Sequence, residues 1–282
     1  MDRNWILCVG ETTNARLSVY ELQGKQLLLQ SEQTDYGAQV FVANYDSGSV
    51  SVIDLFQDGR LSSTHTIAFR REGVGKVAAR QEKSHAHQVI PSPDSKHVYV
   101  CDLGCDAIHV LSVGQTAQYA LHRSSITVPA GSGPRHLVFH QNRAFVTMEL
   151  SCEVQAFRWD GVSLFAQGEP VRLSPPGRHL ETLAEVALSP DGQFLYVSCR
   201  GDPHEDAIAL LRVCHGELGK VEYFPSGGCV PRHFSLSPDG KWLAVANQGS
   251  GSLVLLERDE KTGRLNIVST HRSTLINYAG FH

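Results

Sequence analysis

Apolar and polar positions along the chain recur as short runs rich in β-branched and aromatic residues, and helical periodicity is weak throughout. Four stretches superpose well, residues 89–103, 137–150, 186–200 and 234–248. Each reads as an apolar strand, a turn, and a second strand that ends on polar residues. The turns are Ser92-Pro93-Asp94-Ser95, Gln141-Asn142, Ser189-Pro190-Asp191-Gly192 and Ser237-Pro238-Asp239-Gly240. Pro-Asp-Gly favours a tight reversal, so the two strands of each unit are predicted to be antiparallel neighbours. Such turns read as structural, since their spacing follows the hairpins.

A small polar loop and a third apolar strand follow each hairpin, as in Asp46-Ser47-Gly48-Ser49 before residues 50–55 and Gly249-Ser250-Gly251-Ser252 before residues 253–257. A fourth, outer strand fits before the next unit. The second-strand valines Val100, Val146, Val197 and Val245 lie 46, 51 and 48 residues apart, which is the period of a β-propeller blade. The fold class is therefore all-β, a β-propeller of four-stranded antiparallel blades, and residues 1–282 are read as one domain. Residues 6–22 and 40–55 match only second and third strands, with Val9 and Val42 only 33 residues apart. Residues 23–39 hold no Pro-Asp-Gly turn and no first strand for the Val40 unit. Six second strands and at most five first strands can be counted.

A net charge of −4 with 19% charged residues leaves no basic face for nucleic acid and no acidic tail. No apolar run approaches the ~18 residues of a spanning helix, and residues 1–10 lack the cationic and apolar regions of a leader, so a soluble, unsecreted protein without membrane partners is expected. Seven cysteines without a C-x-x-C pair read as reduced thiols of a cytoplasmic protein. No Gly-x-Ser-x-Gly elbow is present and no cysteine has a recognisable base partner, which disfavours covalent catalysis. The basic, glycine-containing run of residues 70–80 lacks phosphate-loop spacing. It reads as a solvated loop that could recruit an anion at the propeller mouth.

In an antiparallel pair the start of the first strand and the end of the second share one edge. That register gathers a polar ring. Two positions before the first-strand residues Val89, Leu137, Val186 and Phe234 stand His87, Arg135, Ala184 and Arg232, and the next positions hold Gln88, His136, Glu185 and His233. The second strands end on Asp102, Met148, Cys199 and Asn247, followed by Leu103, Glu149, Arg200 and Gln248. Polar side chains accumulate where an apolar core would exclude them.

Phe41-Val42-Ala43-Asn44-Tyr45-Asp46-Ser47-Gly48-Ser49-Val50, Gly131-Ser132-Gly133-Pro134-Arg135-His136 and Ser84-His85-Ala86-His87 resemble the signatures of the propeller-type lactonases. That family is similar to bacterial 6-phosphogluconolactonase and fungal carboxymuconate cyclase. The likeness runs from about Val40 to Gly263, and the residues from Gly10 to Leu22 resemble the family's opening strand pair. It implies a seven-bladed propeller; against that pattern about one blade of chain is absent between residues 23 and 39. The implied activity is hydrolysis of a sugar-acid lactone such as 6-phosphogluconolactone, and a monomer that needs no cofactor or metal is expected. A carboxymuconate-type cyclase and a non-catalytic propeller that binds protein through its rims are the alternative readings.

Lactone hydrolysis needs a base for water or an acid for the ring oxygen, and donors for the tetrahedral oxyanion. By resemblance, the family's active-site His, the Arg of its Gly-Pro-Arg-His motif, a Glu and a later Arg fall on His87, Arg135, Glu149 and Arg200, with Met148 in place of the usual Asn beside the Glu. Glu149 or His87 would act as base, while Arg135, Arg200 and Arg232 would hold a carboxylate or phosphate and the oxyanion. Glu185, Asp102 and Asn247, by register, and His85, by its alternation with His87, are further substrate-binding candidates. Each has a structural alternative: an inter-blade ion pair for Glu149 with Arg200, blade-carbonyl bonds for Arg135 and Arg232, a turn anchor for Glu185, loop caps for Asp102 and Asn247. His85 and His87 share one strand face, but no third metal ligand is identifiable.

Overall fold

The computed structural model describes residues 5–9, 17–23, 26–28, 38–56, 60–62, 64–114, 120–177, 180–273 and 276–281. Its regular elements are all β-strands, arranged in six antiparallel sheets among the described residues. The first joins β1 (Trp5–Val9), β2 (Leu17–Gln23) and β3 (Gln26–Leu28), and the second joins β4 (Ala38–Asn44), β5 (Ser49–Leu55) and β6 (His65–Ala68). Four four-stranded sheets follow. They comprise β7 (Ala86–Pro91), β8 (His97–Asp102), β9 (Ala107–Ser112) and β10 (Leu121–Thr127); then β11 (Pro134–His140), β12 (Arg143–Met148), β13 (Glu153–Trp159) and β14 (Leu164–Arg172). After them come β15 (Thr182–Leu188), β16 (Phe194–Arg200), β17 (Ala207–Cys214) and β18 (Glu217–Pro225); and β19 (Pro231–Leu236), β20 (Trp242–Asn247), β21 (Ser252–Arg258) and β22 (Leu265–Arg272). Strands pair in chain order within every sheet, the up-and-down pattern of a propeller blade. No helix among the described residues is long and apolar enough to cross a membrane.

The short sheets are those the repeat left incomplete. Among the described residues the first two sheets hold the equivalents of second, third and fourth strands, and β4 stands at the inner edge where a first strand stands elsewhere. Residues 29–37, within the stretch where the repeat breaks, lie outside the described residues.

The Ser-Pro-Asp turns close each hairpin through one device. In the turn joining β15 to β16, the Gly192 amide donates to the Ser189 carbonyl at 2.8 Å, and the Phe194 amide donates to Ser189 Oγ at 3.0 Å. The same bonds recur from Gly240 and Trp242 to Ser237, and from Ser95 and His97 to Ser92. The fourth turn residue takes positive φ, +69° at Gly192, +70° at Gly240 and +58° at Ser95, a conformation that favours glycine.

Middle strands of the third to fifth sheets are apolar on both faces because each of these sheets packs against a neighbour on either side. Val98 and Val100 of β8 face Val50 and Val52 of the second sheet, while Tyr99 and Cys101 face Leu137, Val146 and Met148 of the fourth. On β16, Leu195 and Val197 pack toward Phe145 and Val154, whereas Phe194 and Tyr196 pack toward Phe234, Val245 and Leu256. Alternation with a period of two thus fills two interfaces from one strand. Polar pins cross these interfaces: Arg258 donates from Nε to Tyr196 Oη at 2.8 Å, and Tyr196 donates to the Gly263 carbonyl at 2.7 Å.

Every four-stranded sheet carries a β-bulge at the start of its first strand. Register slips by one residue between Ala86 and Gln88, Pro134 and His136, Leu183 and Val186, and Pro231 and His233. In three of the four the extra residue is His87, Arg135 or Arg232. A bulge bends its strand and re-aims a side chain, which turns these residues out of the blade and toward the propeller axis.

Candidate active site

Where first strands begin and second strands end, a cavity of about 960 Å³ opens. His87, Arg135, Thr182 and Arg232 reach it from first strands, while Asn44 and Arg200 at strand ends and Glu149 just beyond β12 reach it from second strands. Tyr45 enters from the turn after β4 and Arg80 from the loop before β7.

Glu149 is 2% exposed and is ringed by guanidinium groups. Arg80 Nη2 donates to its Oε1 at 2.8 Å, Arg200 Nη2 lies 3.2 Å from the same oxygen, and Arg135 Nε lies 2.9 Å from Oε2. Burial works to raise the Glu149 pKa, but Arg200, Arg135 and Arg80 together hold it below the usual carboxylate range. Arg135 is also 2% exposed, and burial, with Arg200 and Arg232 as like charges, pushes it down to about 10, so it stays cationic at neutral pH. Nη1 of Arg135 and Nε of Arg200 are buried without a hydrogen-bond partner among the described residues. Buried donors left unpaired cost stability, and concentrating them at one cavity suits a binding site better than a structural clamp.

His87 stands beside this cluster. Its ring meets Tyr45 edge to face at 5.6 Å and His136 at 5.1 Å, and its Nδ1 is buried without a hydrogen-bond partner among the described residues. Burial, then Arg135, His136, Arg232 and Arg200, drives the His87 pKa well below 6.5. The imidazole is therefore neutral at physiological pH and keeps a lone pair for a proton.

The local sequence explains how these groups meet. Asp106 accepts from the amides of Gly131 and Gly133, each at 2.9 Å, and from Gln81 Nε2 at 2.7 Å. Gln81, fully buried, also donates to the Leu103 carbonyl at 3.0 Å. One carboxylate thus bolts the Arg80 loop to the Gly-Ser-Gly-Pro-Arg-His segment. Gly133 has φ +62°, and a Cβ there would fall 2.6 Å from Leu150, so glycine is needed for the loop to reach Arg135. The Gly133 carbonyl in turn accepts the Glu149 amide at 2.8 Å.

All four residues expected to carry the chemistry, His87, Arg135, Glu149 and Arg200, line this one cavity, as does Arg232. The four remaining candidates do not. His85 stacks on Tyr45 at 4.3 Å and spends its ring nitrogens on the Tyr45 carbonyl and Glu82, each at 3.0 Å. Asp102 is wholly buried in its blade, where it accepts from Ser84 Oγ, the amides of His85 and Cys105, and His109 Nε2. Asn247 is equally buried and donates to the Ser226 carbonyl at 3.0 Å. Glu185 lies in a deeper layer with His136 and His233. Register put Glu185, Asp102 and Asn247 near the mouth, and alternation with His87 put His85 there, but the inward or outward turn of each side chain depends on the bulge and on the alternation of the strand end. Met148 likewise faces the core between the third and fourth sheets. Among the lining residues that escaped the register argument are Arg80, Tyr45, Asn44 and Thr182. The basic run before His85 signalled Arg80, which reaches the cavity from a largely exposed loop.

The fold and site together define a β-propeller with a cationic cavity at one mouth, built around a neutral histidine. The chain belongs to the lactonase family of seven-bladed β-propellers, whose pattern it matches over residues 8–274. It is 34% identical to a 6-phosphogluconolactonase of Formosa agariphila over 236 residues, 81% of this chain and 66% of that one. It is also 34% identical to a 6-phosphogluconolactonase of Bacillus subtilis over 242 residues, 83% of this chain and 67% of that one. The chain thus spans about two thirds of the length of these curated relatives. Among solved structures, the periplasmic gluconolactonase of Pseudomonas aeruginosa superposes with a TM-score of 0.81 at 29% identity, covering 95% of this chain and 80% of that one. A Bacteroides fragilis protein, a candidate 6-phosphogluconolactonase, superposes with a TM-score of 0.85 at 29% identity, covering 97% and 83%.

Proposed function

We propose that the protein hydrolyses the lactone of an anionic sugar acid, with 6-phosphogluconolactone as the leading substrate. The observation that carries this reading is a neutral, hydrogen-bond-deficient His87 set among Arg80, Arg135, Arg200 and Arg232 in one cavity. The arginines supply what an anionic lactone needs, since planar guanidinium groups grip phosphate or carboxylate and stabilise a developing oxyanion. Arg80 and Arg232 hold the substrate's anionic group, and Arg135 and Arg200 face the carbonyl oxygen.

His87 removes a proton from water as the oxygen attacks the carbonyl carbon. The C=O bond becomes a tetrahedral alkoxide beside Arg135 and Arg200. Collapse of that intermediate breaks the ring C–O bond, and the imidazolium returns its proton to the departing ring oxygen, giving the open hydroxy acid. Glu149 is not the base: its two oxygens are engaged by Arg80, Arg200 and Arg135, whereas His87 Nδ1 has no partner among the described residues, and the work of Glu149 is to keep those cations in place.

The names of the relatives support the substrate, and the free thiols at Cys101, Cys105, Cys152, Cys199, Cys214 and Cys229 suit a reducing cytoplasm. Lactone opening by the purified protein, followed as acid release, tests the reading. Wild type should exceed the spontaneous rate, and His87→Ala should lower kcat by roughly 100-fold. Equal rates in wild type and His87→Ala would remove His87 from the mechanism.

A further inference from the structure

Beneath the cavity, a buried carboxylate bridges three first strands. Glu185 of β15, 6% exposed, receives His136 of β11 at 2.9 Å (Nδ1 to Oε1), while His233 Nε2 of β19 lies 3.2 Å from Oε2. Neither partner is a lysine or arginine. An inter-blade tie made only for stability would be served as well by a neutral amide, because a buried charge carries a desolvation cost that an amide avoids.

The protonation pattern of this chain follows from its contacts. Glu185 sits in the field of His136, His233 and Arg135, which hold its pKa at about 2 against the effect of burial, so it only accepts hydrogen bonds. The hydrogen therefore resides on His136 Nδ1, and His136 Nε2 keeps the lone pair. On the other side, the Ala279 amide donates to His233 Nδ1 at 3.4 Å, which leaves the hydrogen on Nε2 facing Glu185. The carboxylate thus fixes the tautomer of His136, and the Ala279 amide that of His233. His136, oriented in this way, presents its ring edge to face against His87 at 5.1 Å.

We propose, resting on the lactonase reading above, that Glu185 and His136 are positioning residues: the carboxylate fixes His136 as its Nδ1–H tautomer, and that imidazole sets the ring angle of His87 and excludes its other rotamers. Tyr45 from the turn after β4 forms the opposite wall. The charged groups facing His87 are Arg135 of β11, Arg200 of β16 and Arg232 of β19, with His136 as the nearest titratable ring. Glu185 supplies a negative charge behind His136. Its removal lowers the affinity of His87 for a proton still further.

The test combines kinetics with imidazole NMR on the full-length protein labelled at histidine nitrogen. In wild type the His136 resonances, assigned by their loss in His136→Gln, should report an Nδ1–H tautomer; an Nε2–H tautomer overturns the proposal without any need for Glu185→Gln to fold. Glu185→Gln, which preserves side-chain volume, should lower kcat roughly tenfold with KM nearly unchanged and move the acid limb of the kcat profile to lower pH. Glu185→Asp should restore part of kcat. A Glu185→Gln protein that unfolds more readily but keeps wild-type kcat and acid limb shows a structural tie only and overturns the proposal. Should wild type open no lactone, the tautomer readout still decides the positioning of His87, and only the functional reading fails.

Discussion

In the proposed mechanism His87 is the base and Glu149 anchors the cations around it. Arginines surround both, yet the effects are opposite in kind: they keep the imidazole neutral and the carboxylate ionised. Because Arg135 approaches Glu149 through Nε, its fork has a set orientation that a lysine ammonium cannot copy. Arg135→Lys should therefore lower kcat/KM by at least about tenfold in the lactone assay, although charge is conserved. Retention of wild-type kcat/KM would show that charge alone matters at this position. The cavity-lining set was legible at this scale because repetition supplies register, and equivalent positions in successive blades must share one mouth. The misplaced candidates show where that logic ends. Asp102 and Asn247 close their second strands facing the blade interior, whereas Glu149 and Arg200, one position further along in their own blades, reach the cavity.

Strands and turns were the most readable elements, since alternation, Pro-Asp turns and a blade period all point the same way. The bulges were not readable. A one-residue slip leaves no trace in hydrophobic pattern when polar residues already occupy the strand start, yet it turns His87, Arg135 and Arg232 toward the axis. The turns allow a direct check. Ser95 adopts φ +58° where its equivalents are Gly192 and Gly240, so Ser95→Gly should stabilise the protein by about 1 kcal/mol in urea unfolding, relief of left-handed strain outweighing the added chain entropy. A destabilised variant would show that this strain is compensated elsewhere. At Gly133 the opposite holds: Gly133→Ala forces a Cβ against Leu150 at φ +62° and displaces the segment that carries Arg135. It should reduce kcat and lower the unfolding midpoint together, and a normal kcat would separate the loop from the site.

Across the whole molecule, the cavity region stores neutral imidazoles in a cationic field. His87, His136 and His233 all have pKa values below 6.5, burial being the leading cause in each. The folded state therefore binds fewer protons than the unfolded chain as pH falls below 6.5, and the stability these groups contribute is complete above that pH and lost beneath it. Glu185 and Asp102, each held at about 2, remain ionised throughout this window and do not cause the loss. Unfolding midpoints in urea should thus decline from pH 7 toward pH 5; a flat profile would contradict the neutral-histidine description. Six sheets are described, within a family of seven blades, and the site draws on the second through the sixth of them. His87, Arg135, Glu149, Arg200 and Arg232 come from the four complete sheets, the part of the ring with the clearest repeat. The work proposed for this cavity is to open an anionic sugar-acid lactone. The most direct test is the rate at which purified protein opens 6-phosphogluconolactone, measured against spontaneous hydrolysis in the same buffer. The expected result is saturable acceleration that depends on His87, and an unaltered spontaneous rate at every protein concentration would contradict it.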